Sequence, residues 1–136
     1  MTDEAGRPRA ALVVNPVKAD APRLVGLLRS LSAQAGWDEP VIIETSVEDP
    51  GQRATRIALD RGVAAVLVAG GDGTVRAVSE AMSGTGVPLA IVPSGTGNLL
   101  ARNLGLALDA PAAAIDAVFH GDRHPVDIGW AELTRQ

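Results

Sequence analysis

The chain has 136 residues, 46% of them hydrophobic and 21% charged, which suits one globular domain and excludes a fibre, wholesale disorder or two full domains. It contains no cysteine, so disulfides and thiolate metal sites are excluded. With no tyrosine, one phenylalanine, two tryptophans and a net charge of -4, it has neither the aromatic platforms nor the basic field of a nucleic-acid reader.

Five short aliphatic runs mark candidate strands: Ala11 to Val14, Val41 to Glu44, Ala64 to Ala69, Leu89 to Val92 and, less clearly, Pro125 to Ile128. The first four read as nearly continuous apolar strings, the texture of strands covered on both faces of a parallel sheet. After the first run, Leu24, Leu28, Leu31 and Ala35 share one side of a helix, with Asp20 as N-cap, Pro22 in the first turn and Gly36 as terminator. After the second, a helix is expected to start at Asp49 with Pro50 at its first position, to bury Ala54, Ile57 and Ala58, and to stop at Gly62. After the third, Val75, Val78 and Met82 share a face and Gly84 closes the helix. A short helix over 98–104 and another from Asp109 to Phe119 complete the count.

This alternation predicts an α/β fold, a doubly wound, mainly parallel open sheet with helices on both faces. The expected organisation is a disordered N-terminus over 1–9, a nucleotide-binding domain over 10–124, and over 125–136 the start of a crossing into further structure. The longest apolar run, Val63 to Ala69, is far short of the ~20 residues that cross a bilayer, and Met1 to Arg9 is polar, unlike a signal peptide. A soluble cytoplasmic protein, able to visit a membrane surface, is the expectation.

In such sheets ligands bind beyond the carboxyl ends of the strands. Three loops there are unusual: Asn15-Pro16-Val17-Lys18, Gly70-Gly71-Asp72-Gly73-Thr74, and Pro93-Ser94-Gly95-Thr96-Gly97-Asn98. Glycines let backbone amides approach an anion closely, the following helix adds its positive end, and two such loops at neighbouring strands can converge on a phosphate chain. Asp72 would repel bare phosphate, so it suits Mg²⁺ held directly or through water, a base for an attacking hydroxyl, or simply a helix cap. Thr45 ends the second strand, as a nucleotide contact or a turn hydroxyl. Lys18, Arg76 and Arg102 either offset phosphate charge or stand as solvated cations. His120 and His124 lack the spacing of a metal cage, Trp37 and Trp130 read as packing residues, and neither a P-loop nor a dinucleotide fingerprint is present.

The order and spacing of Asn15-Pro16, Gly70-Gly71-Asp72-Gly73-Thr74 and Pro93 to Asn98 resemble the diacylglycerol kinase catalytic domain family, which includes bacterial lipid kinases, sphingosine kinases and ceramide kinases. NAD kinases and phosphofructokinases share the first glycine loop, and their N-terminal domain is the fold the resemblance implies. The resemblance implies transfer of a phosphoryl group from ATP, with Mg²⁺, to a lipid hydroxyl such as that of diacylglycerol. Asn15, Pro16, Thr45, Gly70 to Thr74, Ser94, Gly95, Thr96 and Asn98 would then touch the nucleotide, and Asp72 would be catalytic and nearest the metal. It also implies a second, β-rich domain that holds the lipid and supplies an acidic base, so that the fragment alone is inactive. Exposed apolar surface near Trp130 would favour a homodimer. The family pattern has a small residue and glycine at Lys18 and Ala19, asparagine at Arg76 and aspartate at Leu99. A kinase of a soluble substrate such as NAD, or a nucleotide-binding module without transfer, is the alternative.

Overall fold

Apolar runs without polar alternation leave no face for water, and strands β1 (Ala10–Val14) and β3 (Ala65–Ala69) are buried along their whole length. The computed structural model describes residues 6–93 and 110–120. In it, β1 and β3 pair in parallel, flanked by β2 (Val41–Glu44) and β4 (Leu89–Val92), in the order β2-β1-β3-β4. Register aligns Leu12 with Ile42 on one side and Leu67 on the other, and Leu67 with Ala90.

Because successive side chains point to opposite faces, one register produces two cores. Leu12, Val14, Leu67, Ala69, Ala90 and Val92 pack under helices α1 (Ala21–Gln34) and α4 (Ala110–His120), through Leu24, Leu28 and Ile115. Ala11, Val13, Val66, Val68 and Leu89 pack under α2 (Gln52–Asp60) and α3 (Asp72–Met82), through Ala54, Ala58, Val78 and Met82. Leu12, Leu28, Leu67 and Ile115 are fully buried, each contributing about 1.5–3 kcal/mol relative to exposure. Trp37 meets Phe119 edge to face at 4.9 Å, joining the end of α1 to α4. This is the doubly wound α/β architecture expected.

Helix α1 begins and ends as its sequence suggests: the Asp20 carboxylate accepts the Arg23 N–H at 3.3 Å, Pro22 lies in the first turn, and Gly36 follows at φ +80°. Helix α2 differs. It starts at Gln52 rather than Asp49, because Gly51, at φ +151°, turns the chain between them. The Asp49 carboxylate still caps it from outside, accepting N–H bonds from Gly51 (3.1 Å), Arg53 (3.0 Å) and Ala54 (2.9 Å). Its buried stripe also differs: Thr55 is fully buried while Ile57 is 42% exposed. Thr55 can go inside because its hydroxyl donates to the Gly51 carbonyl at 2.7 Å, so no polar group is stranded.

The polar N-terminus expected to be disordered is fixed over its last two residues. The Pro8 carbonyl accepts the Asp38 N–H at 2.8 Å, the Arg9 carbonyl accepts the Ala64 N–H at 2.7 Å, and the Arg9 guanidinium pairs with Asp38 at 2.7 Å. That guanidinium, with the Glu39 N–H donating to the same carboxylate, holds Asp38 below the usual carboxylate range. The fifth strand over 125–128, the helix over 98–104, Arg102, His124 and Trp130 lie outside the described residues. No helix among the described residues is long and apolar enough to cross a membrane.

Candidate functional site at the switch point

The chain leaves β1 toward α1 on one face of the sheet and leaves β3, its immediate neighbour, toward α3 on the other. Divergence of two adjacent connections opens a crevice at the carboxyl ends of those strands, where open α/β sheets bind ligands. The residues at this crevice are Asn15, directly after β1, and Gly70 to Thr74, directly after β3.

Several short contacts join the two loops. The Asn15 N–H donates to the Ala69 carbonyl at 2.8 Å, continuing the strand pairing by one residue. The Asn15 carbonyl then accepts N–H bonds from Lys18 (3.1 Å) and Ala19 (3.0 Å), closing a tight turn. The Asn15 side chain is oriented by its partners: Oδ1 accepts the Val17 N–H at 3.0 Å, which leaves Nδ2 to donate to Thr74 Oγ1 across a long 3.4 Å. Since Thr74 accepts from Asn15, its own hydroxyl hydrogen remains to be donated, and no described residue takes it.

The glycines of the loop have unequal roles. A Cβ on Gly70 would lie 2.8 Å from Thr74 Cβ, 2.9 Å from Thr74 Oγ1 and 3.0 Å from Asn15 Cβ, so the joining of the two loops requires glycine there. At Gly71 a Cβ would make only ordinary contact, 3.8–3.9 Å from the Lys18 side chain, and at Gly73 it would meet nothing within 4 Å. Neither has a positive φ. The fold therefore has no steric need of glycine at Gly71 or Gly73. What their missing side chains do is leave the amides at the start of α3 uncovered, and these amides are among the unsatisfied donors of a helix N-terminus.

Asp72, the first residue of α3, is exposed, while Thr74, two residues on, is 4% exposed and faces the core side of the crevice. Thr45 follows β2, one strand further out, and is tied by its N–H to the Val14 carbonyl at 2.9 Å. Pro16 is exposed at the tip of the first loop. The structure thus brings Asn15, Gly70 and Thr74 into contact, with Gly71, Asp72 and Gly73 continuous with them and Thr45 at the neighbouring strand end. Ser94, Gly95, Thr96 and Asn98 lie outside the described residues. Among the described residues no three His, Asp or Glu side chains gather as a metal cage.

Sequence reasoning missed a groove of about 710 Å³ beside the first loop, bounded by Pro16, Ala19, Pro22 and Val25, with Arg29 and Glu44 at its rim. It does not include the glycine loop. Among the described strands β2 is outermost, and its last residue, Glu44, lines the groove together with residues of α1, a juxtaposition no local pattern announces.

Residues 9–131 match the diacylglycerol kinase catalytic domain. The chain belongs to that family. It is 44% identical over 72 residues to a diacylglycerol kinase of Mycobacterium tuberculosis, covering 53% of this chain and 23% of that protein. It is 36% identical over 128 residues to the "Probable lipid kinase YegS-like" protein of Pseudomonas putida, covering 90% of this chain and 41% of that protein. A crystal structure of a diacylglycerol kinase from Bacillus anthracis str. Sterne superposes with a TM-score of 0.57 at 26% identity, covering 83% of this chain and 43% of that one. The chain therefore spans less than half the length of each of these relatives.

Proposed function

We propose that this chain is the nucleotide-binding part of an ATP-dependent lipid kinase that transfers the γ-phosphoryl group to a lipid hydroxyl such as that of diacylglycerol. The observation that carries the reading is the pair Gly71 and Gly73, glycines without steric need that uncover the start of α3 where β1 and β3 diverge. Amides there would take phosphate oxygens, and the Thr74 hydroxyl, turned into a donor by Asn15, would add one more hydrogen bond. Each neutral bond contributes only about 0.5–1.5 kcal/mol net, so convergence of several donors is what would hold a triphosphate. Ser94, Gly95, Thr96 and Asn98 belong to this reading as a second set of donors, with Thr45 and Pro16 on the nucleotide's flank.

The donor set also fits a Mg²⁺ ion that arrives with the nucleotide. Mg²⁺ keeps several waters and takes one or two carboxylates plus phosphate oxygens; Asp72 offers an exposed carboxylate at the start of α3, and among the described residues no three His, Asp or Glu side chains gather as a cage. Asp72 would hold the ion directly or through water, and the ion would supply neutralisation of the phosphate charge. In the transfer, the lipid oxygen forms a bond to the γ-phosphorus as the bond from that phosphorus to the β,γ-bridging oxygen breaks. ADP leaves with the electron pair, and the hydroxyl proton passes to an acidic side chain of the acceptor-binding part.

On this reading, the lipid pocket belongs to the length that relatives have and this chain does not span. The chain alone then binds nucleotide and leaves diacylglycerol unphosphorylated. Thermal melting with Mg²⁺ and ATP is the test, since a ligand at 100-fold over its Kd stabilises the folded state by about 2.7 kcal/mol. Asp72→Asn is expected to weaken the Mg²⁺ dependence of that shift. An unchanged melting temperature at saturating nucleotide would overturn the reading. In a protein carrying the relatives' full length, phosphorylation of NAD but not of diacylglycerol would redirect it to a soluble acceptor.

A further inference from the structure

We propose that the outer edge of β2 is a self-recognition surface, on which a second copy of this chain lays its own β2 antiparallel, so that two sheets become one. The direction of the edge groups follows from one bond. The Thr45 N–H donates inward to the Val14 carbonyl at 2.9 Å, and backbone groups alternate sides along a strand. Val41 and Ile43 therefore also address β1, while the N–H and C=O of Ile42 and Glu44 point away from the sheet. Among the described residues no strand lies beyond β2 to take them. Natural edges are commonly guarded by lysine, by an internal proline or by a bulge. Here the strand reads Val-Ile-Ile-Glu, its β-branched residues half-buried and in unbroken register with β1, and Pro40 stands before the strand rather than in it.

Register and charge select a second copy as the occupant. A two-fold axis at Ile43 sets Ile42 opposite Glu44 of the second copy and Glu44 opposite its Ile42, and each of these pairs exchanges both of its N–H···O bonds. An axis at Glu44 would instead set two carboxylates face to face. The side chains of Ile42 and Glu44 share the α1 face of the sheet: Ile42 packs against the core there, and Glu44 lines the groove beside α1. Arg29 lines the same groove and gives its Nε to Glu39, just ahead of the strand, at 2.8 Å, which places it near the start of β2. Among the described residues no other carboxylate lies within 4.0 Å of it, so its terminal nitrogens are left for a second acceptor. Antiparallel pairing returns Glu44 of the second copy to that same end of β2, and the symmetry makes the contact twice. Spacing agrees with this. Strands lie about 4.8 Å apart and helices pack about 8–10 Å apart, so two α1 helices flanking the joined edge strands meet across the groove. Gly26, exposed in the groove wall with nothing within 4 Å of where a Cβ would stand, lets them approach.

The test is sedimentation equilibrium of the chain from about 1 µM to about 1 mM, with amide hydrogen exchange at both ends of that range. The mass is expected to rise from 13.9 kDa toward twice that value. Exchange at Ile42 and Glu44 is expected to slow on concentration, whereas Val41 and Ile43, bonded to β1, exchange slowly throughout. Glu44→Arg and Arg29→Glu are each expected to weaken the dimer about tenfold, because two symmetry-related ion pairs are lost at once. The double variant, which restores opposite charges across the junction, is expected to regain most of that loss. Both positions are exposed, so all three variants are expected to melt near wild type at low concentration. A chain that stays monomeric at the highest concentration would overturn the proposal, as would a dimer whose Ile42 and Glu44 amides remain fast, the mark of pairing through some other surface. Single variants that associate as tightly as wild type, or a double variant no tighter than either single one, would overturn it as well.

Discussion

Alanine at Gly70 and alanine at Gly73, three residues apart, are expected to move stability in opposite directions. At Gly70 the new Cβ would sit 2.8 Å from Thr74 Cβ and 3.0 Å from Asn15 Cβ, against the roughly 3.5–4.0 Å at which carbon atoms rest. Neither neighbour can retreat. Thr74 is β-branched, 4% exposed and part of α3, and Asn15 is held by the Ala69 carbonyl at one end and the Val17 N–H at the other. Overpacking of this kind costs about 1–3 kcal/mol, and in a domain of this size each kcal/mol moves the melting temperature by roughly 3–5 °C. Gly70→Ala should therefore melt about 3–15 °C lower. At Gly73 there is no atom within 4 Å, the residue is helical and φ is not positive, so alanine loses less chain entropy on folding at no steric cost. The expected gain is about 0.4–1 kcal/mol. The same side chain would stand over the uncovered start of α3, so the more stable variant should show the smaller thermal shift with Mg²⁺ and ATP. Scanning calorimetry of both variants, with and without nucleotide, decides this. A Gly70→Ala chain that melts as wild type, or a Gly73→Ala chain that is destabilised, would refute the steric argument.

Three further expectations follow from single contacts. Asp49→Ala removes the acceptor of three N–H bonds at the start of α2 and should cost about 1–2 kcal/mol, read as a lower urea midpoint at unchanged slope. Thr74→Val keeps the volume but strands Asn15 Nδ2, so it should lower stability by about 1 kcal/mol and weaken ATP more than that loss explains, measured by calorimetry after correction for the folded fraction. For Asp38, whose carboxyl is held below its ordinary value by Arg9, the unfolded chain binds the proton first. Its contribution is therefore complete above the unfolded carboxylate range and is lost as pH falls through the lowered folded value; Arg9→Met should flatten that acid limb in a melting-temperature series from pH 7 to pH 2.

Strand positions were readable because β1 and β3 are buried on both faces and their composition has to be apolar throughout, while Val41–Glu44 and Leu89–Val92 coincide with the expected runs although β2 is only half-buried and ends on the exposed Glu44. The start of α2 was less readable. Asp49-Pro50 has the chemistry of a cap and first turn, but the cap carboxylate reaches over Gly51, and only the observed φ of +151° reveals the intervening bend. The choice between Ile57 and Thr55 was hidden too. A nine-residue helix has too few turns to fix the rotation of its apolar stripe, and a buried threonine is acceptable only once its hydroxyl has found a carbonyl. At the site, residue types were legible while their division of labour was not. Nothing in the run Gly70 to Gly73 distinguishes a glycine that lets two loops touch from one that leaves amides bare.

The sheet topology decides how much of the glycine loop stays open. A glycine-rich turn before a helix exposes donors wherever it occurs, but in most positions of a sheet the neighbouring connection covers the same face and closes over it. Here β1 and β3 send their helices to opposite faces, so the connection next to the glycine loop departs the other way, with Asn15 beside Gly70 and the Lys18 side chain beside Gly71. Asn15 fills that position with a side chain whose two ends are both committed, one to its own turn and one to Thr74, which keeps the crevice open and its hydroxyl donor aimed. Replacing Asn15 by Leu should leave the sheet intact, since its N–H bond to Ala69 is made by the backbone, while the loss of Thr74 orientation should weaken nucleotide binding roughly tenfold. Backbone amide protection of β1 and β3 by hydrogen exchange, measured beside ATP affinity, separates the two effects. Loss of strand protection without a selective loss of affinity would show that Asn15 serves the fold and not the crevice.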